Sequence, residues 1–247
     1  MQVILMGTNG WYDTETGHTL SVLVNAAEYS IVLDAGSGFA GLDQYLPDDR
    51  PVYLFLSHLH LDHVIGLHSL PIHRIPAGLH IFGQPGTRGA LGTLFDAPYS
   101  ILLESSSFKV TVHDWPEGVG QLPFQVKALP LVHATPCFGY RIEIDGRVLA
   151  YTTDTGYCAN AVELARGADL LIAECSLKPG EVNEGWPHLN PELAARIAAE
   201  AGASRLALVH FDPTNYPTLE LRRKGEETAR RVFPATSAGT DGMVIDL

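Results

Sequence analysis

Residues 52–63 read Val52-Tyr53-Leu54-Phe55-Leu56-Ser57-His58-Leu59-His60-Leu61-Asp62-His63. The first five residues are apolar and rich in β-forming types, which predicts a buried strand. Three histidines and one aspartate then follow within six positions. Neutral imidazole and carboxylate are common ligands of Zn, Fe and Mn, and loops that follow strands often carry such ligands. The stretch therefore predicts a divalent-metal centre, and a metal-dependent hydrolase is the leading interpretation.

The bulk composition limits the size of the fold and the class of partner. The chain has 247 residues, of which 46% are hydrophobic, enough for one sizeable core. Its formal net charge of −12 disfavours nucleic acid and anionic membranes as partners. The basic residues concentrate in Arg222-Arg223-Lys224 and Arg230-Arg231. Their helical spacing predicts a solvated helix face, with a nucleic-acid patch as the alternative.

The cysteines and the apolar segments bear on the compartment. Cys137, Cys158 and Cys175 are odd in number and widely spaced, which predicts free thiols in a reducing environment. We expect Cys175 to lie in the core and Cys137 not to be a ligand. The first residues do not resemble a signal peptide, and no apolar run approaches the ~20 residues that span a bilayer. These features predict a soluble cytoplasmic protein without a membrane partner.

The pattern of elements predicts an α/β fold. Both halves of the chain pass from mostly strands to mixed strands and helices, and no linker separates them. We expect one domain over residues 1–247, in which two mixed sheets pack face to face with helices on the outer faces. The predicted local elements include hairpins at 20–33 and 139–152, a helix over His63–Leu70, and a helix that begins after Asn190-Pro191 and ends at Gly202.

Four further polar residues stand where they could join the first cluster. His133, Asp154 and His210 follow apolar runs directly or nearly, and His188 precedes the predicted helix at Pro191. Strand ends on one edge of a sandwich can converge although they are distant in sequence. Each position also has a purely structural interpretation, since Asp154 in Thr-Asp-Thr-Gly suits an Asx-turn and His210 could cap a turn.

Taken together, these motifs resemble the metallo-β-lactamase superfamily. The resemblance runs from Leu33-Asp34-Ala35-Gly36 to Val209-His210-Phe211, and it implies a four-layer αββα sandwich with two metal ions at one edge of the sheets. Residue by residue, it implies one ion at His58, His60 and His133, a second at Asp62, His63 and His210, a bridge at Asp154, and Asp34 behind the site as an orienting group. The ligand set suits Zn or Mn, and Fe stays open.

The second half is most similar to the ribonuclease Z and cyclic-phosphodiesterase branch. The similar stretches are His133–Tyr140, Asp169–Glu174 and Trp186-Pro187-His188. The resemblance implies that His188 contacts the scissile phosphate or protonates the leaving group, that Glu174 supports it, and that Asp62 takes part in catalysis. The chain departs from ribonuclease Z at Leu189-Asn190 and at Asp212-Pro213, and it has no visible counterpart of the tRNA-gripping arm. These departures weaken a role in tRNA processing.

The function that the sequence favours is hydrolysis of a small or cyclic phosphodiester by a metal-bridging hydroxide. Several alternatives stay open: a thioester or lactone hydrolase, a tRNA 3′-processing endonuclease, an iron-dependent persulfide dioxygenase, and a metal-stabilised binding module. The expected partner is a small anionic substrate, and a homodimer is allowed by the resemblance. We expect the loops Gly7–Gly17 and Ala90–Ser107 to carry specificity, although packing is the favoured role for Phe95–Tyr99.

Overall fold

The computed structural model describes residues 1–47 and 49–247 of the chain. Strands β1 to β13 are Gln2–Gly7, Ser21–Asn25, Ser30–Leu33, Val52–Phe55, Leu79–Gly83, Val110–Asp114, Gln125–Pro130, Phe138–Ile144, Arg147–Thr152, Leu170–Glu174, Leu206–Val209, Thr236–Ala238 and Met243–Asp246. Helices α1 to α5 are Leu61–Val64, Thr87–Leu94, Ala159–Ala165, Pro191–Ala201 and Leu219–Arg230. Short 3-10 segments span Ser37–Gln44, Ile65–Ile72, Leu103–Ser105 and Val119–Gln121.

The strands form two mixed sheets that face each other. The first sheet has the order β13-β1-β2-β3-β4-β5-β6, and the second has the order β12-β11-β10-β9-β8-β7. Their inner faces share one apolar core, in which Phe55 and Phe82 from the first sheet meet Tyr140 and Tyr151 from the second. A second core lies between the second sheet and α3, α4 and α5, and a third lies between the first sheet and the 3-10 segments and α2. The predicted αββα architecture is confirmed.

Local sequence signals explain several elements. Asp145 and Gly146 both have positive φ, at 52° and 73°, as the two-residue turn between β8 and β9 requires. At the start of α4 the Asn190 side chain accepts a hydrogen bond from Leu193 N at 2.8 Å. The same helix ends at Gly202, which adopts a left-handed φ of 64°. These predicted boundaries are confirmed.

The helix predicted over His63–Leu70 is wrong in type. The structure has a single α turn, Leu61–Val64, followed by the 3-10 segment Ile65–Ile72. The reason is visible at Gly66, whose N–H donates to Ala35 O at 2.8 Å instead of continuing an α-helical ladder. A Cβ on Gly66 would lie 2.1 Å from Gly36 O, so the close approach of these two loops needs glycine here.

The sheet topology positions the polar residues of interest. β3 and β4 are parallel neighbours, as are β9, β10 and β11. The carboxyl ends of parallel strands meet at one edge of a sheet, and each of these strands is followed or ended there by a candidate residue. In chain order these residues are Asp34, His58, Asp154, Glu174 and His210.

The solvated basic face predicted for α5 is wrong at Arg222. Arg223 and Lys224 are exposed, but Arg222 is only 1% exposed and donates a hydrogen bond to Thr8 Oγ1 at 2.8 Å. The amino-terminal loop therefore covers that side of the helix. Cys175 and Phe95 are buried in the core as expected, and the three thiols are free. In the described ranges, none of the helices has the length and apolar character needed to cross a membrane.

Candidate metal centre

Asp154 lies between two groups of histidines. Its Oδ1 atom is 3.1 Å from His210 Nε2 and 3.3 Å from His63 Nε2. Its Oδ2 atom points the other way, at 3.7 Å from His58 Nε2 and 3.8 Å from His133 Nε2. The carboxylate is almost completely buried. One aspartate thus presents a different oxygen to each group, as a bridging ligand does.

The first group consists of His58, His60, His133 and Asp154, whose ligand atoms all lie within 4.8 Å of one another. His60 Nδ1 is 2.9 Å from His58 Nε2 and 3.4 Å from His133 Nε2. Burial lowers the pKa of both His58 and His133. Both rings are therefore held neutral, which is the form of imidazole that binds a metal.

The second group consists of Asp62, His63 and His210. The Nε2 atoms of His63 and His210 face each other at 3.2 Å, and Asp62 Oδ2 is 3.4 Å from each. The Nδ1 atoms of both rings already have partners, since His63 Nδ1 is 2.8 Å from Asp34 Oδ2 and His210 Nδ1 is 3.0 Å from Ser176 Oγ. The imidazole lone pairs and the carboxylate are thus directed at one point, and this donor set fits a divalent cation.

The electrostatics of the second group agree with that fit. Burial acts to lower the pKa of His63, but the carboxylates of Asp154, Asp62 and Asp34 outweigh it and raise that pKa well above its usual value. Three acidic groups therefore surround one buried ring. A bound cation would neutralise the negative charge that they concentrate there.

Asp34 supports the site from behind. It is fully buried, and its Oδ2 accepts hydrogen bonds from Ser57 Oγ at 2.7 Å and Tyr151 Oη at 2.6 Å as well as from His63. Its Oδ1 accepts from Ser57 N at 2.7 Å. Four donors thus fix a carboxylate that in turn fixes the ring of His63, and an orienting role for Asp34 stays a prediction.

His188 and Glu174 form a buried pair beside both groups. His188 Nδ1 lies 2.8 Å and 2.9 Å from the two carboxylate oxygens of Glu174. Burial acts to lower the pKa of His188, but the Glu174 carboxylate outweighs it and raises the pKa to about 9. The ring of His188 stacks on that of His210 at 5.8 Å, and it can share a ligand point with Asp154 and His210. The edge of His188 that does not face Glu174 is thus directed at the two groups.

Comparison with known proteins identifies the family. The model of the beta-lactamase superfamily domain matches residues 29–211, which include every residue of the two groups. The chain belongs to the beta-lactamase superfamily. An uncharacterised protein of Mycobacterium tuberculosis, Rv1339, is 35% identical over 195 residues, which cover 74% of this chain and 70% of the relative. The predicted superfamily is confirmed.

Two further likenesses cover nearly the whole chain. A protein named ribonuclease Z from Synechococcus is 28% identical over 320 aligned positions, which cover 100% of this chain and 96% of the relative. The crystal structure of YhfI from Bacillus subtilis, a metallo-beta-lactamase fold protein, superposes with a TM-score of 0.79 at 24% identity and covers 99% of this chain and 98% of its own. The latter likeness confirms the metallo-β-lactamase fold.

The two groups open into a cavity of about 680 Å³. Its lining combines members of both groups with Gly10, Trp11, Leu61, Ser176, Leu177, Trp186, His188 and Asp212. Aromatic and aliphatic side chains make up much of this wall, and among the described residues that line it none is Lys or Arg. Positive charge at this member's site would therefore come from bound metal ions and from imidazole.

Backbone strain concentrates at the site. Six described residues other than glycine have positive φ, and four of them belong to the site or its cavity: Trp11, Asp34, Asp154 and His210. A left-handed backbone costs roughly 1–2 kcal/mol for residues with a side chain. Conformations of this kind persist where the surrounding structure holds them and are often found at functional sites.

Sequence reasoning missed the groups that hold the site in place. Ser57, Tyr151 and Ser176 carry no motif, and their roles follow only from contacts with Asp34 and His210. Trp11 was also missed, although it lies in the loop Gly7–Gly17 that was expected to carry specificity and that does line the cavity. Residues 90–107 do not contribute to this lining.

Proposed function

We propose that this chain is a metal-dependent phosphodiesterase that hydrolyses small or cyclic phosphodiesters. The observation that carries the proposal is the buried His188–Glu174 pair, of which His188 lines the cavity beside Asp154 and His210. Hydrolysis of a diester needs a proton donor for the departing oxygen in addition to a nucleophile. A histidine oriented by a carboxylate meets that need.

The residues that would hold the metal ions are the two groups described above. His58, His60 and His133 would hold one ion, Asp62, His63 and His210 would hold the second, and Asp154 would bridge them. When bound, a pair of divalent ions supplies a nucleophile at neutral pH and neutralises charge on the phosphate oxygens. Zn or Mn suits this set of imidazoles and carboxylates, and Fe is the alternative.

The protein's own part in the reaction would centre on His188. Glu174 accepts the hydrogen bond from Nδ1–H and so fixes the ring, with Nε2 directed at the cavity. From there Nε2–H would donate to a phosphate oxygen or to the leaving group. General-acid catalysis of this kind contributes typically ~10²–10⁴ in rate. Asp34 would keep His63 in place throughout.

The lining of the cavity supports a small substrate. A long polynucleotide needs several cationic phosphate contacts, but the described cavity lining has no Lys or Arg and the chain carries a formal net charge of −12. A small diester needs only the metal ions and His188. Similarity to a protein named ribonuclease Z supports diester chemistry, and tRNA processing is the second candidate on that account.

The test is a substrate panel on protein of known metal content. We expect cleavage of bis(p-nitrophenyl) phosphate or of a cyclic nucleotide, and a fall of about 10²–10⁴ in kcat for His188→Ala. His68→Ala is the matched control, because His68 is exposed and, among the described residues, its side chain bonds only Ser100. Fully metallated protein that is inert on every diester would refute the proposal.

The His188→Ala variant also distinguishes a phosphodiesterase from an enzyme that hydrolyses a thioester or lactone. Attack on a carbonyl does not require a donor placed for a phosphate oxygen, so His188→Ala would then retain most of its activity. Iron as the predominant metal, together with oxygen consumption, would instead favour dioxygenase chemistry.

A further inference from the structure

Trp11 has an unusual combination of exposure and strain. Its side chain is 71% exposed although it lines the cavity, and its backbone φ is 63°. Glycine is the residue that adopts this conformation without steric cost, and positive φ in a bulky residue is a genuine outlier. A tryptophan that is mostly in water also contributes little to the core. Stability therefore does not explain the presence of an indole here.

Hydrogen bonds hold the backbone of the loop that carries Trp11. Asn9 Nδ2 donates to Tyr12 O and Gly17 O at 3.1 Å and 2.9 Å, and Gly10 N donates to Phe211 O at 2.9 Å. Trp11 N itself donates to Asp62 Oδ2 at 2.8 Å. The backbone that carries the indole is thus held in relation to the candidate metal centre before any ligand arrives, which lowers the entropic cost of ordering the loop on binding.

The rest of the cavity indicates what kind of group the indole would meet. Trp186, which is 49% exposed, forms another part of the wall, with its ring nearly parallel to His60 at 6.2 Å between centroids. Asp212 also lines the wall, and its carboxylate disfavours an additional phosphate there. These parts of the wall thus suit a planar, uncharged group.

We propose that Trp11 is a specificity-determining residue that stacks on a planar aromatic group of the substrate, as in a nucleobase joined to a single phosphate. This inference rests on the proposed function, because it supplies the organic part of the same small phosphodiester. Stacking of a base on an aromatic side chain contributes about 1–3 kcal/mol, which is roughly 5- to 150-fold in affinity. Stacking is tolerant of base identity, so Trp11 selects for a base rather than for one particular base.

The test is calorimetric binding of two probes to the metal-loaded protein. Adenosine 5′-monophosphate and ribose 5-phosphate carry the same phosphate and sugar, so the ratio of their affinities isolates the base. We expect a ratio of at least about 5 for the unaltered protein, a ratio near 1 for Trp11→Ala, and restoration of most of the preference in Trp11→Phe. Tyr99→Ala is the matched control, since Tyr99 is also 71% exposed but does not line the cavity.

The result of this binding experiment does not depend on the result of the substrate panel, because neither probe is a diester and binding needs no turnover. Equal affinities for the two probes, weak binding of both, or a preference that survives Trp11→Ala would each overturn the inference about Trp11. A Trp11-dependent preference in protein that cleaves no diester would uphold base recognition and refute only the proposed reaction.

Discussion

Asp34 Oδ2 lies 2.8 Å from His63 Nδ1, and the fully buried carboxylate directs the opposite edge of the ring at His210 and Asp154. Because this hydrogen bond fixes both the tautomer and the orientation of the ring, Asp34 connects the core of the sandwich to the candidate metal centre. The relationship joins residues 29 positions apart: Asp34 directly follows β3, and His63 lies in α1, which comes after the parallel neighbour β4.

We expect Asp34→Asn to weaken metal binding by about 10- to 100-fold, the usual effect of losing such a partner. Asparagine tolerates the left-handed backbone at this position, so the change acts mainly on the hydrogen bonds. Competition with a chelator measures the affinity. Tyr151→Phe removes only one of the donors to Asp34 and should have a smaller effect. Equal losses in the two variants would contradict this account.

The site residues whose place could be predicted from the sequence are those that follow a predicted strand. His58, Asp154 and His210 follow apolar runs, so the edge at which they lie could be inferred before their contacts were known. Asp34 could be assigned only through the resemblance. Ser57, Tyr151 and Ser176 were not predictable, because a hydroxyl gains its role from what packs against it in three dimensions.

The elements that sequence reasoning misassigned have a common physical cause. The turn at Gly66 depends on an approach to Gly36, and the burial of Arg222 depends on a loop more than 200 residues earlier in the chain. Periodicity reports which side chains share a face of an element. It does not report which distant segment covers that face.

A substitution at Asp154, which contacts both groups, should remove more bound metal than a substitution within one group. Metal analysis of the unaltered protein should give two divalent ions per chain. His133→Ala alters only the first group and should leave about one ion, whereas Asp154→Ala alters both groups and should leave less than one. Added metal should raise the thermal midpoint most in the unaltered protein, less in His133→Ala and least in Asp154→Ala, since a ligand that binds only the folded state stabilises it. Identical metal contents in the two variants would show that Asp154 does not bridge.

Glu174 should act only through His188. In Glu174→Gln the side-chain carbonyl oxygen can still accept the hydrogen bond from Thr155 N. His188 Nδ1 then meets either the amide nitrogen or a weaker acceptor, so the ring loses its fixed orientation. We expect kcat on a diester to fall at least about 10-fold with metal content unchanged. The double variant Glu174→Gln with His188→Ala should be no slower than His188→Ala alone, because residues that act as a unit are not additive. Additive losses would assign Glu174 an independent role.

Replacing Trp11 should reveal the strain in its backbone. Trp11→Gly and Trp11→Ala remove the same exposed indole, but only alanine retains the steric cost of φ at 63°. We expect the glycine variant to be more stable by about 0.5–1 kcal/mol, after allowance for the greater unfolded-state entropy of glycine. Urea denaturation measures the difference. The same pair of changes at Trp186, which is not among the positive-φ residues, should give the opposite order.

Arg222 and Arg223 provide a matched pair on α5. Arg222 donates hydrogen bonds to Thr8 Oγ1 and Asn9 Oδ1, and its guanidinium lies 4.7 Å from the centroid of the Phe211 ring. Arg222→Ala would leave buried acceptors unpaired, so we expect a loss of about 2–4 kcal/mol in the free energy of unfolding. Arg223 is exposed, and Arg223→Ala should change stability by no more than about 0.5 kcal/mol.

The same pair tests how the loop before β2 is held. Asn9 is bonded both to Arg222 and to the backbone of the loop that carries Trp11, so loss of the guanidinium should loosen the indole even in folded protein. We expect Arg222→Ala, measured at a temperature where it is folded, to have a lower ratio of affinities for adenosine 5′-monophosphate and ribose 5-phosphate than Arg223→Ala has. Similar ratios in the two variants would mean that the loop keeps its conformation without Arg222, and that the contacts of Gly10 and Trp11 with Phe211 and Asp62 are sufficient to hold it.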